Sequence, residues 1–252
     1  MLVFGIDTCC MAATAAIMSD KIMVAQTVIN QNKTHSQIMM PQIEQMFKAA
    51  EVEPTEVDAF AAAVGPGSFT GVRIGVATAK ALAQAADKPC VAVSTLQALA
   101  FSSKYFDGII SPILDARRNQ VYNALFCGGK ELARLTDDRA LALDELLAEL
   151  KEYGKKVLFM GDATLVFEEE IRAALGELAY FAPKVSNLNL AGAVAEIGLE
   201  KLKKGEITEY GKLVPEYIRL SQAEREKLGK SCRESNPCGF VPHLPYTPPN
   251  AD

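Results

Sequence analysis

The sequence predicts an α/β protein of two related lobes, each a mixed sheet covered by helices. Two observations carry this. Up to about residue 104 the apolar runs and turn residues give the order β-β-β-α-β-α-β-α, which makes a mixed sheet. Near residue 109 the pattern then restarts. Ile109-Ile-Ser-Pro-Ile-Leu-Asp115 resembles the opening Leu2-Val-Phe-Gly-Ile-Asp7, with Asp115 standing where Asp7 stood. The lobes are expected at 1–106 and 107–222, with 223–252 as a short helix and a proline-rich tail.

Residues 2–7, 12–18 and 23–29 read as strands, and Ser19-Asp20-Lys21 supplies a hairpin turn between the last two. Residues 34–50 read as a helix that Pro41 is expected to bend, because an interior proline removes a backbone hydrogen bond. A strand over 58–64, a helix over 70–86, a strand over 90–94 and a helix over 95–104 complete the first half. In the second half the hairpin recurs as 121–127 and 131–135, with Gly128-Gly129 as its turn. Helices over 143–153, 164–175 and 189–204 follow, with strands 157–160 and 179–181 between them. Ser221-Gln-Ala-Glu224 has capping-box spacing and opens a short charged helix. Five of the twelve prolines fall between Pro237 and Pro249, so that tail is neither helix nor central strand.

Composition excludes several classes. Of 252 residues, 49% are hydrophobic, yet no stretch approaches the ~20 apolar residues of a membrane span. The opening Met1-Leu-Val-Phe-Gly-Ile-Asp7 reads as a strand rather than a secretion signal, so a cytoplasmic location is expected. The six cysteines lack metal-ligand spacing and are expected as reduced thiols. A net charge of −5 leaves no electrostatic footprint for independent nucleic-acid binding.

The chemistry-bearing candidates are few. Asp7 and Asp115 end opening strands, where an acid orients a metal or water, or else fixes a turn through a backbone hydrogen bond. Thr8-Cys9-Cys10-Met11 after Asp7 lacks the glycines of a phosphate loop. Gly65-Pro-Gly-Ser-Phe-Thr-Gly71 is the better anion cradle, with Gly67 and Ser68 at its centre and Arg73 nearby. The competing account of its glycines is a tight turn and close packing of the helix start. It is not a P-loop, since no Gly-Lys-Ser/Thr follows. With only His35 and His243 in the chain, and Met39 four residues after His35, no two-histidine metal site exists on one helix. No nucleophile–His pairing is legible.

Two helices are too apolar for their position. In 70–86 only Arg73, Lys80 and Gln84 form a polar stripe, with Thr78 off it, so the helix is expected to be buried on more than one side. Gly71 and Gly75, with Ile74, Thr78 and Leu82 beside them, are candidates for a surface where another helix approaches. In 34–50, Met39, Ile43 and Met46, flanked by Ile38, form a methionine-rich face suited to an adaptable contact. Cover within the same lobe is the competing account of both helices.

Phe4-Gly-Ile-Asp-Thr8, Thr34-His-Ser followed by Met40-Pro41, Gly65-Pro-Gly-Ser-Phe-Thr-Gly-Val-Arg-Ile-Gly75, Ser94-Thr-Leu96, Asp115-Ala-Arg-Arg-Asn-Gln-Val-Tyr122 and Pro215-Glu-Tyr-Ile-Arg219 occur here in one order. Together they resemble the bacterial TsaB (YeaZ) family over residues 1 to about 222. That resemblance implies an actin-like, RNase H-like (ASKHA) fold and a role in placing N6-threonylcarbamoyladenosine (t6A) at position 37 of ANN-decoding tRNAs. It implies a non-catalytic partner of the related catalytic subunit TsaD, without TsaD's metal-binding histidines, which also helps recruit the ATPase TsaE. The same two helices would pair with TsaD, or with a second copy when the chain is alone. No cofactor of its own is implied; the one place left for ATP or ADP is the contact with TsaD, and tRNA is met mainly through the complex. The older glycoprotease label would require a metal pair this sequence lacks. The alternative is an ATP-dependent kinase or hydrolase of the actin-like class, using Asp7 and Asp115 around Mg²⁺.

Overall fold

The computed structural model describes residues 1–31, 34–188 and 190–219. The elements below lie in one unit, Met1–Ile218. The expected helix after Ser221 and the proline-rich tail lie outside the described residues.

Apolar runs in the first third of the chain build β1 (Leu2–Asp7), β2 (Ala13–Ser19) and β3 (Met23–Ile29), an antiparallel meander. After helix α1 (His35–Ala50), β4 (Ala59–Gly65) joins parallel to β1. Helix α2 (Phe69–Ala86) then returns the chain to β5 (Cys90–Ser94), parallel to β4. The sheet order is β3-β2-β1-β4-β5. Short α3 (Thr95–Phe101) leads to the second sheet. There β6 (Ile109–Asp115) and β7 (Gln120–Asn123) are followed by short β8 (Phe126–Cys127) and β9 (Ala133–Arg134), then β10 (Arg139–Ala142), α4 (Leu143–Tyr153), β11 (Val157–Met160), α5 (Thr164–Leu175), β12 (Ala179–Phe181) and α6 (Ala191–Lys203). Its main path, β10-β7-β6-β11-β12, repeats the first sheet strand for strand, with the same antiparallel and parallel senses.

The second hairpin differs from expectation for a reason visible in β6. Residues 120–127 run along β6 in one continuous register, but the ladder breaks where Pro112, which has no N–H to give, stands opposite Ala124. Asn123 repairs the break, its Nδ2 donating to the Pro112 carbonyl at 3.0 Å. The third strand is split as well: β9 covers part of the expected 131–135, and Arg139–Ala142 resumes the pairing on β7. Sequence reasoning missed that second piece.

The first sheet is buried on both faces. Phe4 stacks on Phe47 of α1 and lies against Phe60 of β4, with ring centroids 5.7 and 5.6 Å apart. On the opposite face a Cβ at Gly5 would sit 2.6 Å from the Ala191 carbonyl and 2.7 Å from the Ala195 nitrogen, so α6 rests directly on β1. This corrects the expected division at residue 106. The sheets divide there, but residues 191–218 return to the first sheet, where Val194, Ala195 and Leu213 join its core and Thr208 bridges to Cys90. Conversely, Leu96, Leu99 and Ala100 of α3 pack on Ile110, Leu114 and Met160 of the second sheet. A separate core there gathers Leu146 and Leu150 of α4 with Phe167 and Ile171 of α5.

Candidate functional site

The glycine loop is where β4 turns into α2, and its glycines are consumed by the chain itself. A Cβ at Gly67 would lie 2.4 Å from the Cys9 carbonyl, and one at Gly71 only 2.0 Å from the Thr8 carbonyl. At Gly75 it would meet Thr8 Oγ1 at 2.6 Å. The first turns of α2 therefore lie flat on the segment after β1, and only glycine permits that approach. Hydrogen bonds lock the contact: Ser68 N donates to the Cys9 carbonyl at 2.7 Å, and Thr8 Oγ1 donates to the Gly71 carbonyl at 2.7 Å. Ser68 also caps α2 by accepting from Gly71 N. Of the two accounts of these glycines, the geometry supports close packing, with two of the cradle's donors, Ser68 N and Gly71 N, spent within the chain.

The opening acids behave alike in the two lobes. Asp7 Oδ1 accepts from Cys9 N at 2.8 Å, and Asp115 Oδ1 accepts from Arg117 N at 2.7 Å. Each closes a turn two residues on, the structural alternative weighed for both. Asp7 is fully buried, and beside it burial and the nearby carboxylate push the Cys9 thiol well above its usual pKa. Asp162, absent from the sequence reading, accepts from Asp115 N at 2.9 Å. Burial raises its pKa. Its signal was available, for it too is an acid just past a strand, after Met160-Gly161. His35 Nε2 lies 2.9 Å from the Cys10 carbonyl, tying α1 to the turn after β1. Among the described residues, no three His, Cys, Asp or Glu side chains are placed to hold a metal ion.

The two greasy helices divide their expected docking residues. Met39, Ile43 and Met46 of α1 are already covered by their own lobe, 2%, 1% and 6% exposed. Gly71 and Gly75 face Thr8 inside the chain. For these five the docking expectation is corrected: each side of the helix they occupy already has its cover. Ile38, Ile74, Thr78 and Leu82 stay half-buried, and Ala77, Ala81 and Ala85 of α2 and Met40 of α1 are exposed. The surface open to a partner is thus a smooth alanine stripe with an aliphatic margin.

Two quoted motifs 140 residues apart close on each other. The Phe69 and Tyr217 rings stack with centroids 4.5 Å apart, and Arg73 Nε donates to Tyr217 Oη at 2.8 Å. The Arg73 guanidinium carbon lies 3.9 Å from the Phe69 ring centroid. Glu216 N donates to the Val64 carbonyl, and a Cβ at Gly65 would come 2.6 Å from the Glu216 carbonyl. Nothing in the local pattern of either motif names the other as its contact.

The family model described as TsaD, tRNA N6-adenosine threonylcarbamoyltransferase, matches residues 23–227. The TsaB protein of Bacillus subtilis (strain 168) is 35% identical over 225 residues, covering 89% of this chain and 96% of that one. The chain belongs to the TsaB (YeaZ) family. The Escherichia coli (strain K12) protein named TsaB is 33% identical over 124 residues, 48% of this chain and 53% of its own. YeaZ from Pseudomonas aeruginosa superposes with a TM-score of 0.71 at 22% identity, over 86% of this chain and 99% of that one. A hexokinase of the ROK class from Thermus thermophilus reaches 0.50 at 13% identity, covering 80% and 100%. The fold is therefore the actin-like duplicated α/β fold, as the resemblance implied.

Proposed function

We propose that this chain is the non-catalytic partner subunit of a t6A-forming complex, pairing with TsaD, stabilising it and helping to recruit TsaE. The observation that carries the reading is the state of the glycine loop. The best phosphate cradle in the sequence is pressed onto Thr8 and Cys9, while the helix it launches shows an alanine stripe to solvent. A loop whose glycines are spent on internal packing and an open helix face suit docking better than turnover. The partner would cover Ala81 and Ala85 with Ile74, Thr78 and Leu82 at the margin, together with Ile38 and Met40 of α1. Alone, a second copy would occupy that face. Any ATP or ADP belongs at the contact with TsaD, tRNA is engaged through the complex, and the work is cytoplasmic. No described helix is long and apolar enough to cross a membrane.

Reconstitution with the cognate TsaD and TsaE tests this. Leaving the chain out is expected to abolish t6A formation, and the lone chain is expected to give no heat with Mg·ATP in calorimetric titration. Tight binding and hydrolysis of ATP by the lone chain would instead establish the actin-like enzyme.

A further inference from the structure

The flank of α2 opposite Ile74, Thr78 and Leu82 forms one wall of a groove whose other wall is residues 211–217. The groove encloses about 500 Å³ and is lined by Val76, Leu213, Val214 and Tyr217, with Arg73 and Lys80 on its rim and, among the described residues, no carboxylate in its lining. Leu213 closes the floor, while Val214 and Tyr217 leave 59% and 37% of their surface in solvent. Both cations are fixed by neutral acceptors: Arg73 Nε on Tyr217 Oη, and Lys80 Nζ on the Gly211 carbonyl at 3.2 Å. Arg73 is also held over the Phe69 ring, and among the described residues the outer edge of its guanidinium has no partner, which suits a bidentate carboxylate.

We propose that this groove takes an extended peptide segment of a partner protein, with an apolar side chain seated between two carboxylates. Seven residues of helix separate Arg73 from Lys80 by two turns, about 10 Å, on one face. An extended chain advances about 3.3 Å per residue, so the carboxylates belong about three positions apart. The apolar floor supplies area, and the two uncompensated charges supply register and orientation. RNA fits less well: two cations on a chain of net charge −5 give too few phosphate contacts for a sequence-independent grip. The groove adjoins the docking face proposed above, meeting the alanine stripe at Ala77, but its binding groups Arg73 and Lys80 lie outside that face, and the chain alone is enough to test it.

A random-peptide phage library panned on the full chain should enrich sequences with Asp or Glu pairs spaced about three apart around an aliphatic or aromatic residue. The selected peptide, made synthetically and followed by fluorescence anisotropy, should bind about tenfold more weakly to Arg73→Glu/Lys80→Glu. Because Arg73 also packs on Phe69, the single variant Lys80→Glu serves as the control. It should keep the wild-type melting temperature and still weaken binding. Enrichment without acidic pairs, affinity indifferent to both variants, or displacement of the peptide by oligouridylate would each overturn the proposal, the last by making the groove an RNA site.

Discussion

At the scale of single residues, the glycines of the loop carry the most structural consequence. Gly71 and Gly75 looked like a ridge for an outside helix, yet they fit Thr8 within the chain. Sequence shows that small residues are needed at a close approach; it does not show what approaches. Gly71→Ala, which sets a Cβ 2.0 Å from the Thr8 carbonyl oxygen, should cost about 3 kcal/mol or more in urea unfolding, since backbone must move to admit it. Asp162 carries a different prediction. Its folded-state pKa is raised, chiefly by burial, so the folded chain holds that proton more tightly than the unfolded chain does. The group's contribution is fully present below the ordinary aspartate pKa, about 3.9, and is lost as pH rises through the raised value. Asp162→Asn can still accept from Asp115 N and never ionises. It should melt higher than the wild type at neutral pH, with the gain shrinking as the pH falls toward 4. A third residue-scale test lies between β6 and β7, where Arg117, Arg118 and Asn119 all have positive φ, at 65°, 57° and 60°. Arg118→Gly relieves one left-handed position and should add about 1 kcal/mol of stability.

At the scale of elements, α1 and α2 show where periodicity informs and where it stops. Both helices fall within a residue of their expected limits, because apolar spacing and the Ser68 cap are local signals. The cover over each face is not local. Phe47, four residues after Ile43 and so beside it on the helix, is the residue that stacks on Phe4, while Met39 and Ile43 fill the same core. α1 also runs on through Pro41, whose exposed position keeps its ring clear of the sheet. Met39→Glu should therefore unfold the lone chain, at about 3–5 kcal/mol for a buried unpaired charge, seen as lost cooperativity in thermal circular dichroism. The half-buried and exposed residues of α2 are the ones to probe for docking. The split third strand teaches the same lesson in the second lobe. Pro112 was readable in the sequence, but its effect on residues 124–125 depends on a register that only pairing across strands reveals.

At the scale of the whole molecule, the internal repeat was legible because two strands ending in aspartate anchor both halves, and the two sheets share one strand order. The exchange of helices was not. α6 follows the second sheet in the chain yet covers the first, and nothing in its own apolar pattern names the sheet it will meet. This exchange brings residues 211–217 beside α2 and so builds the groove, while the alanine stripe on the neighbouring flank stays open. The central claim is that this stripe is a partner's seat. Light scattering on a column loaded with the chain and its cognate TsaD measures it most directly, comparing the wild type with Ala81→Arg/Ala85→Arg. These exposed positions near the C-terminus of α2 tolerate cations, so the variant should keep the wild-type melting curve. The account predicts a one-to-one complex for the wild type and two separate peaks for the variant. A variant that pairs with TsaD as well as the wild type does would contradict it.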